Sequence, residues 1–584
     1  MGQEHGSEQA HRGHATIVIT GDGTHTRRRG ALFPARVRWL LVGLGLVAIV
    51  ALAAPWWNIP RDQADSAGML AHLHALFVDA DLLYDDEYAV LQMSPLFAFV
   101  TDEGVVSNHW PAGASWLQAP GYGLGIVAAK ALAGLGIGRG SSLGVVVVLA
   151  VRAWAMLVLV AMTIAVARLC TVAQPDSDTR SARRAGWLVS VGIVLGTPWL
   201  YYAAEAPVRP HLWGAGLTLA VVALWRRPDR GLPYARTMAL AALVGLATYV
   251  RPQLAPLWLL VVHDAWSGPR RWRRLLLGTA VFVPWPLLHL RTQWWMYGTQ
   301  LSDYGGSVSH HLSYFLLSTH HGVVPWCPVI MLALVAMGVS AARRERGAWL
   351  LLGLVLVQLW VDSGMRAIEP RAVLGTRTWS GGVSFGPRKL VEVLPLMLPG
   401  FASLVALARA RGYGRALAGL AVALCLPTAL LHLSAWLDPE ATTGGIMGSV
   451  EYGAALRRPF RPEAWSAAWA QRGVPLGVPV SITVTVTLPL LLMGIGVVAW
   501  SRRRAERPVP SRVVAVGVVS VLLLMHGWLS VLLVRSDAAR EQEPHRMLDA
   551  AKTMTPAHYA TVGRIDAHHE QLRRRLGAGA APRR

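Results

Sequence analysis

Long apolar runs alternate along this chain with short polar breaks that carry arginine. Leu143–Ala167, Trp187–Tyr202, Val478–Trp500 and Val513–Val534 each approach or exceed the roughly 20 apolar residues that cross a bilayer as a helix. About thirteen such spans are predicted, near 36–55, 142–168, 186–203, 211–226, 236–250, 254–267, 275–291, 323–341, 348–361, 390–408, 415–437, 478–500 and 512–534. The fold class that follows is all-α, a polytopic transmembrane helical bundle with no room for a large soluble domain. The predicted organisation is a polar N-terminal tail (1–35), a membrane domain (36–534) with a first external loop of about 56–140, and a polar tail (535–584) with helical spacing of Arg, His, Glu and Ala. No repeat of fixed period is visible. Within the first loop, Ala67, Leu70, Leu73, Leu76 and Phe77 recur mostly at intervals of three and four. That spacing predicts an amphipathic helix from Gln63 to Leu83, lying at the membrane interface. A second stretch, Trp116–Gly136, is only half apolar, rich in Gly and Ala, and carries Lys130.

Composition supports the membrane reading: 53% hydrophobic residues, 15% charged residues and a mean hydropathy of +0.40, where soluble domains carry about 25% charge. A net charge of +22 would suit a nucleic-acid partner, but its distribution argues against one. The arginines cluster at 27–29, 180–184, 226–230, 270–274, 343–346, 409–415 and 502–507, with two apolar spans between successive clusters. This is the alternation expected when basic residues stay in the cytoplasm. It places the N-terminus and all seven clusters inside and the intervening loops outside. A full crossing by Trp116–Gly136 would put Arg180–Arg184 outside, so that stretch is expected to be interfacial or re-entrant. By parity the C-terminal tail falls outside. Cys170, Cys327 and Cys425 stand singly, with no CxxC and no disulfide framework. The first apolar run lacks a small-residue cleavage site close behind it and is expected to be retained as a span.

The unusual polar residues fall in the loops predicted to be external. Asp62 and Asp65 are three apart, on one face at the start of the predicted loop helix. Both are candidate catalytic carboxylates; Asp65 also suits a plain capping role there, whereas Asp62, beside Arg61 and close to the first span, could face a cavity between spans. The later acidic group, Asp79 to Glu87, invites a calcium-loop reading. An EF-hand starting at Asp79 needs glycine at its sixth position and glutamate at its twelfth; those positions are Tyr84 and Val90. A solvated loop face is the expectation. No metal-ligand set is assigned, and a divalent cation remains the one cofactor left open. His109, in "SNHWPAG", could contact a phosphate or move a proton, or simply pack in the loop. In "SGGVSFGPRKL", Pro387 suits a first helical turn, and Arg388 and Lys389 at a helix start would make an anion site. The plainer reading is a pair of snorkelling cations, with Glu392 as the partner of Arg388 four residues on. Arg251, in "TYVRPQL", is a further anion-binding candidate, as is the group Glu205, Arg209 and His211 in one short turn.

With these stretches in order, residues 36–410 resemble the bacterial polytopic GT-C glycosyltransferases, close to the protein O-mannosyltransferase and lipid A aminoarabinose transferase group. The resemblance rests on "RDQADSAGMLAHLHALFVDADLLYDDEY", "NHWPAGASWLQAPGYGLG", "YVRP", "MYGTQLSDYGG" and "WSGGVSFGPRKLVEVLP". It implies a multi-pass protein of the bacterial plasma (inner) membrane. Such a protein takes a sugar from a polyprenyl-phosphate donor to a hydroxyl on a lipid, glycan or protein acceptor at the external face. The family's first-loop acidic residue, a general base or acceptor-positioning group, maps onto Asp62. The next position, often Glu in relatives, is Gln63 here, so a GT-C scaffold without catalysis is one alternative. A transporter or lipid flippase is another, although ionisable residues deep in spans and an inverted repeat are scarce. No GxxxxGK[ST] or strand-linked GxGxxG is present, as suits a lipid-linked donor.

Overall fold

The structure is a computed structural model describing residues 64–91, 98–100, 106–108, 110–136, 144–172, 179–227, 233–297, 312–319, 321–364, 385–438, 442, 449–464 and 467, all within one compact unit. The expected spans at 36–55, 478–500 and 512–534, both polar tails, Asp62 and His109 lie outside the described residues.

The described residues are almost wholly helical. The first loop contributes α1 (Ala64–His74), α2 (Asp85–Val90) and α3 (Gly113–Gly134), with an antiparallel pair β1 (Ala98–Val100) and β2 (Val106–Asn108) between α2 and α3. There follow α4 (Val145–Val172), α5 (Thr179–Gly196), α6 (Trp199–Ala204), α7 (Pro210–Arg226), α8 (Pro233–Val250), α9 (Trp258–Trp266), α10 (Arg271–Phe282) and α11 (Pro284–Tyr297). The remainder are α12 (Leu312–Leu317), α13 (Val323–Trp326), α14 (Val329–Ala342), α15 (Ala348–Gly364), α16 (Leu394–Ala410), α17 (Gly414–Leu437) and α18 (Ser449–Arg457). Val146–Thr171, Arg271–Met296 and Gly414–Leu437 are long and apolar enough to cross a membrane, and shorter apolar helices include Ala185–Gly196, Val329–Ala342, Ala348–Ser363 and Leu394–Ala410. This is an integral membrane protein of helical-bundle type.

The first loop differs in detail from its periodicity. The helix expected to reach Leu83 stops at His74, continues through a π-turn (Ala75–Asp79) and ends where Ala80 adopts a left-handed backbone, φ 56°. From Ser66 to Leu73 every residue is buried, including the polar Ser66 and His72. The helix is therefore covered on all sides, beyond what one apolar face against an interface requires. Neighbouring strands of the loop do the covering. Asn108 Nδ2 donates to the Gly68 carbonyl (2.7 Å), and the Trp110 ring lies where a Cβ on Gly68 would be. His72 bridges Tyr84 Oη (2.8 Å) and the Trp110 carbonyl (2.5 Å).

The half-apolar stretch forms a single helix, α3, whose 22 residues are packed along α4. Gly121, Gly125 and Ala129 recur at four-residue intervals and are buried. A Cβ on Gly121 would sit 2.6 Å from Trp154 Cβ, and one on Gly125 would sit 2.7 Å from Val147 Cα. Small residues let two backbones approach in this way, and the Trp154 indole donates to the Leu117 carbonyl (2.8 Å) across the seam. Gly123, one residue off the stripe, faces open space.

The helix ends sort the polar residues. Arg226, at the C-terminus of α7, donates to the Arg346 carbonyl (3.0 Å), joining two of the basic clusters. At the start of α8, Arg236 and Thr237 meet Asp264, which also accepts from Arg274 Nη2 (2.7 Å), tying in a third. Glu345 accepts from Ser403 on α16 (2.6 Å). These clusters share one end of the bundle, as their spacing predicts. The opposite ends of the same helices carry His211 (α7), Arg251 (following α8), Asp362 (α15) and Glu392 (preceding α16). Seventeen residues of α7 separate the two ends by about 25 Å.

Candidate functional site

The site is built from the chain entering α16. Gly386 has φ 62°, a conformation that favours glycine, and turns the chain into Pro387. Arg388–Leu390 forms a 3₁₀ turn, and α16 begins only at Leu394, with a proline in its first turn. The helix expected to start at Pro387 thus begins seven residues later, because the 3₁₀ turn intervenes. The first N–H groups of α16 are those that follow Val393, and Arg388 and Lys389 sit on the preceding turn.

That turn carries Glu392 inward, to full burial. Its Oε1 accepts from Arg251 Nε (3.0 Å) and from His211 Nδ1 (2.8 Å). The partner anticipated from spacing was Arg388, but a four-residue ion pair needs a continuous α-helix, and the 3₁₀ turn removes it. Arg388 still acts electrostatically on Glu392. Gly214 on α7 makes room for this arrangement, since a Cβ there would lie 2.6 Å from Glu392 Cγ. Lys389 is buried, with Nζ 3.4 Å from the Asp362 carbonyl; the Asp362 carboxylate in turn accepts from Gln358 Nε2 (3.0 Å). Burial holds the Lys389 ammonium below the ordinary lysine range, with the Asp362 carboxylate opposing that shift. Arg209 is 2% exposed, and with Arg251 and Arg388 it bears electrostatically on His211. Four cations from three stretches of sequence thus gather around two buried carboxylates.

Aromatic rings wall the site. Phe385 stacks between Tyr201 (4.7 Å between centroids) and His432 (4.5 Å), with Trp326 edge-on at 5.0 Å. The Trp199 indole donates to the Val391 carbonyl (3.2 Å), fixing the turn against α6. The first loop docks at the same end. Gln118 Nε2 donates to the Val208 carbonyl (2.7 Å) beside Arg209, and the start of α3 abuts Tyr249, two residues before Arg251.

The sequence candidates thus separate. Arg251, Arg388 and Lys389 are brought together, with Arg209 and His211. Glu205 is set apart: its carboxylate lies 3.9 Å from Arg152 Nη2, which also donates to the Glu205 carbonyl (3.3 Å). Asp65 is the second residue of α1. The acidic group from Asp79 to Glu87 is not uniformly a solvated face, since Glu87 is 1% exposed. Burial, reinforced by Asp86, raises the Glu87 carboxyl well above the usual carboxylate range. Sequence reading missed Asp362 and Arg152 and undervalued Glu392. Their signal was the same in each case: a lone ionisable residue within or at the edge of a long apolar run.

No family model and no curated protein matches the chain. Among solved structures the chain is similar to ArnT from Cupriavidus metallidurans. The crystal structure in the apo state aligns over 86% of this chain and 77% of that one at 16% identity (TM-score 0.39), and the structure bound to undecaprenyl phosphate over 85% and 76% at 17% identity (TM-score 0.39).

Proposed function

We propose that this protein is a membrane glycosyltransferase that moves a sugar from a polyprenyl-phosphate donor to an acceptor hydroxyl at the polar, external end of the bundle. The observation that carries the reading is the gathering of Arg209, Arg251, Arg388 and Lys389 at the ends of apolar helices, where the phosphate of a lipid would lie. A departing phosphate needs cations or N–H donors aimed at its developing charge. A lipid-linked donor reaches such a site sideways between helices, so no nucleotide-binding loop is needed. Glu392 orients Arg251 and keeps His211 beside it. The acceptor hydroxyl must lose a proton as it attacks the anomeric carbon, and Asp62 is the residue proposed to take it. The external side of this end, the inner-membrane location and a lipid, glycan or protein acceptor belong to the same proposal.

The test is transfer from a polyprenyl-phosphate sugar by the purified protein in nanodiscs supplied with extracted envelope lipids and glycans as acceptors, read as release of free polyprenyl phosphate. Asp62→Asn keeps shape and removes the base, and turnover should fall roughly 10²–10⁴-fold with thermal stability unchanged. Asp85→Asn should cost far less. Near-normal turnover in a folded Asp62→Asn protein sinks the assignment of the base. No release by wild type with any such donor favours a scaffold that has lost catalysis.

A further inference from the structure

We propose that His74, Asp79 and Glu87 form a zinc-class divalent metal site that clasps the end of α1 to α2. The site does not depend on the transferase reading, and its residues are not among those proposed to meet donor or acceptor.

Three elements deliver the ligands. His74 ends α1, Asp79 ends the π-turn, and Glu87 lies in the first turn of α2. π-turns of this kind occur frequently at functional sites. His74 Nδ1 lies 2.5 Å from Asp79 Oδ2 and 3.2 Å from Glu87 Oε1, and the three donor atoms all fall within 4.8 Å of one another. Donors bound to one tetrahedral zinc at about 2.0–2.1 Å stand roughly 3.3 Å apart. Small side-chain rotations would bring all three to that spacing.

A second observation points to a ligand. The Glu87 side chain is fully buried, and its other oxygen, Oε2, has no hydrogen-bond partner. Leaving a buried carboxylate oxygen unsatisfied is costly. Its neighbours are carboxylates, which offer no proton when ionised: the side chains of Asp86 and Asp79 both lie within hydrogen-bonding reach of Glu87, and Asp86 also repels it. One imidazole facing a buried carboxylate and a second carboxylate is poor compensation for a hydrogen-bonded structure, but it is a standard donor set for a divalent cation.

Chemistry selects the metal class. Imidazole and carboxylate are both zinc ligands, and three of them leave a fourth tetrahedral position for water. Calcium takes six to eight oxygens, and the EF-hand pattern fails at Tyr84 and Val90. The fourth position faces outward, because Asp79 is the exposed member, with its side chain 31% accessible against 13% for His74. The residues next to the site also hold the loop together. His72 bonds Tyr84 and the Trp110 carbonyl, and Phe77 meets Trp116 edge-on at 5.4 Å. A metal here would fix the geometry that seats α1 against α3.

The experiment uses the full-length protein in detergent, stripped with chelator and dialysed against zinc chloride. The expected result is one zinc per chain above what a His74→Gln/Glu87→Gln variant retains, with a raised unfolding midpoint in wild type only. Cobalt chloride in place of zinc should give visible bands of four-coordinate intensity, absent from the double variant. The histidines of the tails are unchanged in that variant, so zinc held there cancels. Because loss of Glu87 could disturb folding, Asp79→Asn serves as the milder probe. It keeps the shape of an accessible side chain and should weaken zinc tenfold or more, while leaving the metal-free unfolding midpoint in place. Equal zinc content in wild type and the double variant overturns the proposal, as does a zinc affinity unmoved in Asp79→Asn. Either result would leave His74 as a hydrogen-bonded partner of the two carboxylates only.

Discussion

Glu392 is the most exacting test of the polar-end geometry. It holds Arg251 at 3.0 Å and His211 at 2.8 Å from a position with no solvent access. Glu392→Ala removes one member of a buried pair and leaves the Arg251 charge uncompensated, a loss of roughly 3–5 kcal/mol. Glu392→Gln retains an oxygen for Arg251 but no charge, so it should cost about 1.5–3 kcal/mol, the range of a hydrogen bond to a charged group. Arg251→Ala strands the carboxylate instead and should be similarly harmful. The double variant strands neither, so its cost should fall short of the sum by about 1–3 kcal/mol. A shortfall of 1.4 kcal/mol is a tenfold difference in the unfolding equilibrium. Titration of the purified protein with SDS in mixed micelles, followed by tryptophan fluorescence, measures all four corners of the cycle. Gly214→Ala is an independent perturbation of the same carboxylate, because its new methyl would sit 2.6 Å from Glu392 Cγ. Additivity of Glu392→Ala and Arg251→Ala to within about 0.5 kcal/mol would refute the pairing, whatever the single values.

Lys389 should impose a pH dependence. Burial lowers its ammonium below the ordinary lysine range, so its charge is lost as pH rises through that lowered value, earlier than for a free lysine. The KM for a polyprenyl-phosphate donor should therefore climb on the alkaline side in wild type and stay flat in Lys389→Arg, whose guanidinium remains charged; identical profiles would count against phosphate contact. On the α3–α4 seam, Gly121→Leu and Gly125→Leu should each destabilise by about 1–3 kcal/mol or more through overpacking, by the same SDS titration. Gly123→Ala, facing open space, should be neutral or stabilising by up to about 1 kcal/mol. Cysteines placed at Arg227 and Arg344 should resist an impermeant thiol reagent in intact cells while one at Asp86 reacts, and labelling at Arg344 would reverse the assignment of the two ends.

The bundle was legible in the sequence because apolar length and arginine spacing are local, additive signals. Arg226, Arg274 and Arg346, far apart in the chain, meet at one end as that spacing requires. The broken helices were not legible. The predicted span at 186–203 divides at Thr197 and Pro198 into α5 and α6, and 390–408 is preceded by a 3₁₀ turn. Periodicity does not report such breaks, since the residues on both sides are apolar. Arg251, Arg388 and Lys389 were visible as cations beside spans, but their common carboxylate was not. Glu392 and Arg251 are 141 residues apart (392 − 251), and the nearer cation, Arg388, was the obvious partner until the backbone removed the helix between them. The burial of α1 was missed for a similar reason. Its cover comes from Asn108 and Trp110, 40 or more residues downstream, and periodicity within the helix cannot see them.

A transferase of the proposed kind must keep its acid–base group apart from its phosphate-binding cations, because adjacent opposite charges neutralise one another. Glu392 and Arg251 illustrate the adjacent case: both are held, and neither is an obvious proton acceptor. The fold offers a division of labour that avoids this. The ends of α7, α8 and α16 bring the cations, while the first loop brings most of its acids on elements of its own, joined to the bundle through neutral contacts such as Gln118 to Val208 and Gly113 against Tyr249. In that arrangement the carboxylate proposed to take the proton, Asp62, belongs to the loop and the phosphate ligands to the bundle. A clasp at His74, Asp79 and Glu87 would serve this division, since the loop can hold a carboxylate steady only if its own fold is rigid.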